Sequence, residues 1–130
     1  MDVLRQREQQ AAEDVRRLIN RSGRQDVREI FDSLMRRHLD QPEITRLFAV
    51  LGAESLAPSH PAHDYFVQRL NRGASQMAPL LAPSFSDPHG AAVEILVFMD
   101  GLELSWLRDP KIDAWLRWTS FADAYIPQEK

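Results

Sequence analysis

The chain reads as an all-α domain, a bundle of six helices. Three observations predict it. Apolar residues recur at steps of three and four along nearly the whole length. No segment alternates convincingly, as a half-buried strand does. The interruptions fall at Ser-Gly, Asp-Pro and proline-rich points, which start or stop helices. A length of 130 residues fits one domain over 1–130, and at this size folding buries roughly 70% of the extended-chain surface.

The first helix is expected over about Asp2 to Ile19, with Leu4, Ala11, Val15, Leu18 and Ile19 on one face and charge on the other. Gly23 then suits a left-handed stop, and Ser22 with Gln25 has the pattern of a capping box. The second helix, about Arg24 to Leu39, carries Val27, Ile30, Phe31, Leu34, Met35 and His38 in a narrow stripe. Asp40-Gln41-Pro42-Glu43 opens the third, with Asp40 as cap and Pro42 in the first turn. Ile44, Leu47, Phe48, Val50 and Leu51 give that helix a broad apolar surface.

Ala57 to Pro61 is the connection to a fourth helix, about Pro61 to Ala78, with Tyr65, Phe66, Leu70, Gly73 and Met77 along one side. Pro79 and Pro83 are expected to end or kink it, because each removes an amide donor. Asp87-Pro88 and Asp109-Pro110 share one device, a capping carboxylate before a proline at the first helical position. They predict helices over about Pro88 to Leu107 and Pro110 to Ile126.

Composition excludes several classes. With no Cys, neither disulfides, thiolate metal sites nor thiol catalysis is possible. Lys plus Arg is 16 against 19 for Asp plus Glu, a formal charge of -3, and neither half is a basic arm. Nucleic-acid binding through this chain alone is therefore not expected. No apolar run is long enough to span a membrane and Met1 to Gln10 has no signal-peptide core, so a cytoplasmic location is expected.

The fifth helix is apolar on two sides. On a wheel of about 100° per residue, Ala91, Ile95, Met99, Leu102 and Trp106 cluster together, and Val93, Val97 and Leu104 lie roughly opposite. Such a helix needs cover on both sides. The sixth overflows one stripe as well, with Ile112, Trp115, Leu116, Trp118, Phe121, Ala122, Tyr125 and Ile126. The expectation is a two-fold homodimer in which residues 88–126 of each copy form a four-helix bundle. Val93, Val97, Asp100, Gly101, Leu104, Trp115, Trp118 and Ala122 are its expected contacts, Gly101 allowing close approach. A central helix buried inside one subunit has the same pattern and remains the alternative.

Catalytic signatures are missing. There is no Glu three residues before a His, no His-Glu-x-x-His, no glycine-rich phosphate loop and no Gly-x-Ser-x-Gly elbow. His60, His63 and Asp64 are the nearest approach to a ligand cluster, and they lack a third and fourth partner. Neither a cofactor, a metal nor an enzymatic activity is expected.

Three stretches resemble the regulatory domain of TetR-family (tetracycline-repressor-like) transcription regulators. Leu47-Phe48-Ala49-Val50-Leu51-Gly52-Ala53-Glu54-Ser55-Leu56 followed by His60-Pro61-Ala62-His63-Asp64-Tyr65-Phe66 is similar to its middle. Asp100-Gly101-Leu102-Glu103-Leu104-Ser105-Trp106-Leu107-Arg108-Asp109-Pro110 is similar to the penultimate helix and the turn after it, and Val3-Leu4-Arg5-Gln6-Arg7-Glu8 to the helix beyond the DNA-binding domain. The resemblance implies an effector-binding and dimerisation domain, with a ligand cavity among the first five helices and a dimer bundle in the last two. The family's helix-turn-helix has no counterpart in this sequence, so operator contact is expected only of a full-length regulator.

On this reading an apolar or aromatic small-molecule effector would meet Phe31, Leu34, His38, Phe48, Leu51, Phe66, Leu70, Phe98, Met99 and Glu103. Asp100 and Glu103 interrupt an apolar arc, and a carboxylate there needs a partner across the dimer or on a ligand. The alternative function is a constitutive α-helical dimerisation module that senses nothing.

Overall fold

A computed structural model describes residues 2–22 and 26–127. Among them the chain is all-helical: α1 Asp2–Ser22, α2 Val27–Asp40, α3 Pro42–Glu54, α4 His63–Leu81, α5 Pro88–Arg108 and α6 Ala114–Tyr125. The expected stop at Gly23, the Gln25 half of the capping box, and the side chains of Leu4, Ala11, Val15, Leu18 and Ile19 lie outside the described residues.

Several helix ends differ from expectation. The α2 cap is Asp26, whose Oδ1 accepts from the Glu29 amide at 3.3 Å, and α1 runs on through Ser22. Asp40 closes α2 rather than capping α3; α3 starts behind Gln41, which offers no side-chain cap. Instead the Thr45 hydroxyl ties the junction, lying 2.7 Å from the His38 carbonyl and 3.0 Å from that of Gln41. Pro79 sits inside α4, which continues to Leu81. A proline in the final turn forfeits only one backbone bond before the helix ends, which the buried Leu81 side chain offsets.

The two Asp-Pro devices diverge. Asp87 caps α5 as expected, Oδ1 accepting from the Gly90 amide at 3.0 Å. A Cβ at Gly90 would lie 2.3 Å from the Asp87 carboxylate, so only glycine admits this cap. Asp109 instead caps a turn, through the amides of Lys111 (Oδ1) and Ile112 (carbonyl). The α6 cap is Asp113, accepting from the Leu116 amide at 3.0 Å. The better cap lay four residues on, and the intervening turn uses Pro110.

One core joins α2, α4, α5 and α6. It contains Val27, Ile30, Phe31 and Met35, then Ala74, Met77 and Leu81, then Ala91, Ala92, Ile95 and Met99, and finally Trp118, Ala122 and Ile126. The closest-packed helices are α4 and α5. Small residues make this possible: a Cβ at Gly73 would come within 3.2 Å of the Leu96 side chain. Helix α3 packs on α2 and α5, away from the main core, with Thr45 its one fully buried helical residue. That off-centre seat leaves space beneath it.

Candidate functional site

The space is a cavity of about 910 Å³ walled by α1 to α5. Its apolar wall comes from Leu34 of α2, Ile44 and Phe48 of α3, Phe66, Leu70 and Met77 of α4, and Leu96 and Met99 of α5. Phe48 and Phe66 meet edge to face with centroids 6.4 Å apart. Beside this apolar wall the lining carries many charged groups, among them Arg7, Glu8, Arg16, Arg37, Arg69, Arg72, Asp100 and Glu103.

Several of the polar groups are held in pairs. Glu103 is only 7% exposed, and its Oε2 lies 2.6 Å from His38 Nδ1. Buried carboxylates require such a partner. Arg69 reaches across the cavity from α4 to the Glu8 carboxylate on α1, with its guanidinium 4.6 Å above the Phe48 ring. Burial works against the Arg69 charge, but Glu8 and then Asp100 overcome it and hold its pKa above the ordinary arginine value. Arg37 pairs with Asp14. Thus α1 is clasped over the cavity by two ion pairs and by the Gln76 amide, which donates to the Ala12 carbonyl at 3.4 Å.

Asp100 differs from its neighbours. It is exposed to solvent and borders the cavity. Burial pushes its carboxyl above the usual range; Glu103 adds to this, while Arg69 and His38 pull the other way. A carboxyl with a raised folded pKa contributes stability that is fully present below its unfolded value and is lost as pH rises through the folded one. Asp100→Asn, a mimic of the protonated form, should therefore raise the thermal midpoint near neutrality. The gain should vanish below about pH 4, where the unfolded aspartate is itself protonated. A midpoint at neutral pH no higher than that of the parent would contradict this.

The structure gathers Leu34, His38, Phe48, Phe66, Leu70, Met99 and Glu103 around the cavity. Phe31, Leu51 and Phe98 are not among its walls. Phe31 is sealed in the core against Trp118, and Phe98 stacks on Phe121 with centroids 3.9 Å apart, on the α6 side of α5. Leu51 lies half-buried on α3 outside the lining.

The residues expected at a dimer contact also divide. Val97 and Leu104 are 51% and 46% exposed, and a Cβ at Gly101 would meet nothing within 4 Å. Val93 is half-buried against the core, and Asp100 and Leu104 border the cavity. Trp115 lies beneath the Arg36 guanidinium at 4.7 Å. Trp118 and Ala122 are 0% exposed within the single chain, so they have no area left to offer a second copy.

Arg69 and Glu8 were not singled out from sequence. Arg69 had a readable signal, for it interrupts the apolar side of α4 between Phe66 and Gly73. Glu8 had none, since α1 is rich in charge throughout. His60 and His63 have local work: His60 Nδ1 accepts from the Ala62 amide at 3.0 Å, and His63 Nδ1 bonds the Ser55 carbonyl at 2.9 Å. Among the described residues no three metal-ligating side chains converge.

No family model, curated protein or solved structure matches this chain. The chemistry of the cavity is therefore carried by its own residues. A His–carboxylate pair can orient a general base, yet the hydroxyl lining this cavity, that of Thr45, is engaged with backbone carbonyls.

Proposed function

We propose that this chain is the small-molecule-sensing and dimerisation domain of a TetR-like transcription regulator. The observation that supports it best is the cavity: about 910 Å³ inside a chain of this size, with an aromatic wall and ion-paired polar groups. A dimerisation module without a ligand has no use for such a space. The sequence resemblance supplies the family; the five-helix wall is compatible with it.

Sensing follows from the position of α1. Arg7, Glu8, Gln9, Ala12 and Arg16 of this helix border the cavity, so a bound effector touches α1 and α4 together. An effector that prefers one arrangement of those helices shifts the population toward it. In a full-length regulator that shift would change the spacing of two DNA-reading heads, which is the coupling such a protein needs. Native mass spectrometry and a thermal-shift screen of apolar and aromatic compounds test this reading. A bound species or a raised midpoint is expected; a broad library that produces neither would count against it.

Dimerisation is supported by the outer stripe of α5. Val97 and Leu104 stay half-exposed on either side of Gly101. A glycine in mid-helix costs about 1 kcal/mol relative to alanine, and nothing inside the chain requires it at 101. A second helix approaching closely would. Sedimentation should then give twice the 15.0 kDa chain mass. Val97→Asp should shift the population toward monomer while the helical signal persists, since that side chain is outside the core. A parent chain that sediments as a monomer at micromolar concentration would remove the dimer from the proposal.

A further inference from the structure

Within the sensing reading, on which this step rests, the charges around the cavity specify the class of its ligand. We infer that it takes a single-chain amphiphilic anion, a carboxylate or similar acidic head on an aliphatic or aromatic body. The head would sit at the edge formed by α1 and α4, in the field of Arg7, Arg16 and Arg72, with the body along Phe48, Phe66 and Leu70.

Five arginines border the cavity against three carboxylates. Two of the five are answered directly, Arg69 by Glu8 and Arg37 by Asp14. The other three have no carboxylate partner among the described residues. Arg7 and Arg16 make neither an ion pair nor a hydrogen bond there. Arg72 meets only the Gln68 amide oxygen at 3.4 Å and the Tyr65 ring at 5.6 Å. On the acidic side, Glu8 is held by Arg69 and Glu103 lies against His38, while Arg69 pulls on Asp100 through space. The charge left unanswered around the cavity is therefore positive.

The walls also differ in kind. Helix α3 contributes Ile44, Phe48, Ala49, Gly52 and Ala53, and its one hydroxyl there, that of Thr45, is bonded to backbone carbonyls. Helix α1 brings Arg7, Glu8, Gln9 and Arg16. Arg69 marks the boundary, bonded to Glu8 of α1 while its guanidinium lies over the Phe48 ring of α3. A molecule with an apolar body and a charged end matches that division. The sign of the end is set by the three unanswered guanidiniums, whose planar forks suit a carboxylate. All three are exposed, which fits a head that stays wet at the rim and keeps the gain from each pair modest. A cationic head would add to the positive excess, and a neutral one would gain nothing from it.

The test compares three probes with one alkyl chain, decanoate, decanol and decylamine, titrated calorimetrically into the full chain at neutral pH. The same titrations are run on the triple variant Arg7→Gln, Arg16→Gln, Arg72→Gln. Decanoate should bind the parent about tenfold more tightly than decanol, as two or three exposed ion pairs allow, and decylamine should be weakest. In the triple variant decanoate should fall to decanol's level, while decanol, which needs only the apolar wall, binds as it does the parent. Arg117→Gln makes the same loss of charge on α6, outside the cavity, and should leave the preference unchanged. If decanol binds and decanoate shows no preference, or the preference survives in the triple variant, or Arg117→Gln abolishes it equally, or decylamine binds tightest, the anion inference is overturned and the sensing cavity stands. If none of the three binds, both fall. A circular-dichroism melt checks the fold of the triple variant. Should it melt early, the three single variants take its place, each losing part of the preference; an unchanged preference in all three overturns the inference.

Discussion

Trp118→Ala should destabilise the chain by about 4 kcal/mol, the range for deleting a fully buried aromatic side chain. Trp118 is 0% exposed and makes ring contacts with Phe31, Phe98 and Phe121 at centroid separations of 6.5, 6.4 and 6.0 Å. Its removal leaves a void among groups from α2, α5 and α6 that cannot all close in. The indole also has polar work: Nε1 donates to Asp32 Oδ1 at 2.7 Å, and the same carboxylate receives Arg28 Nε at 3.0 Å. Arg28 in turn reaches Asp123 at 2.7 Å. Trp118→Phe should keep much of the packing but lose the indole donor, and so fall between parent and alanine variant. Urea unfolding followed by circular dichroism measures both. An alanine variant within about 1 kcal/mol of the parent would show that the core is not organised around this ring.

That same ring marks the boundary of what the sequence discloses. The helical period, the Asp87 cap and the stripe of α2 were legible because they depend on residues a few positions apart. Trp118 was legible as apolar but not as inward-facing. In α6 nearly every face carries an aromatic or aliphatic group, and only the docking of Phe98, Phe121 and Trp118 against one another decides which is covered. Phe31 and Leu34 pose the same difficulty. They are three apart on one stripe, yet one faces α6 and the other the cavity. The division between core and cavity is set by where α3 sits relative to α5, a long-range arrangement that no local pattern encodes. The two sides of α5 are a partial exception. Its wheel separates two apolar sides, but which one is covered is decided by packing: Ala91, Ile95 and Met99 are buried, Val93 packs against the core, and Val97 and Leu104 stay half-exposed.

The polar pair of the cavity was half legible, Glu103 as a carboxylate inside an apolar arc and His38 as the polar member of an apolar stripe. Their meeting across 65 positions of chain was not. It carries the second large expected effect. His38→Leu should cost about 2–3 kcal/mol, because it strands a carboxylate that is 7% exposed. Partial access at the His38 side, which is 28% exposed, keeps the loss from being larger.

Three companion variants separate the cause from simple loss of packing. Glu103→Gln preserves a hydrogen-bonding oxygen opposite Nδ1 and should cost less than about 1 kcal/mol. Glu103→Met leaves an imidazole that can turn its polar edge to the cavity water, a milder loss than stranding the acid. The double change His38→Leu with Glu103→Met replaces both members by apolar groups and should recover most of the stability lost in His38→Leu alone. If the double variant is instead as unstable as the sum of the two single ones, the pair is not coupled and the carboxylate finds its partner elsewhere.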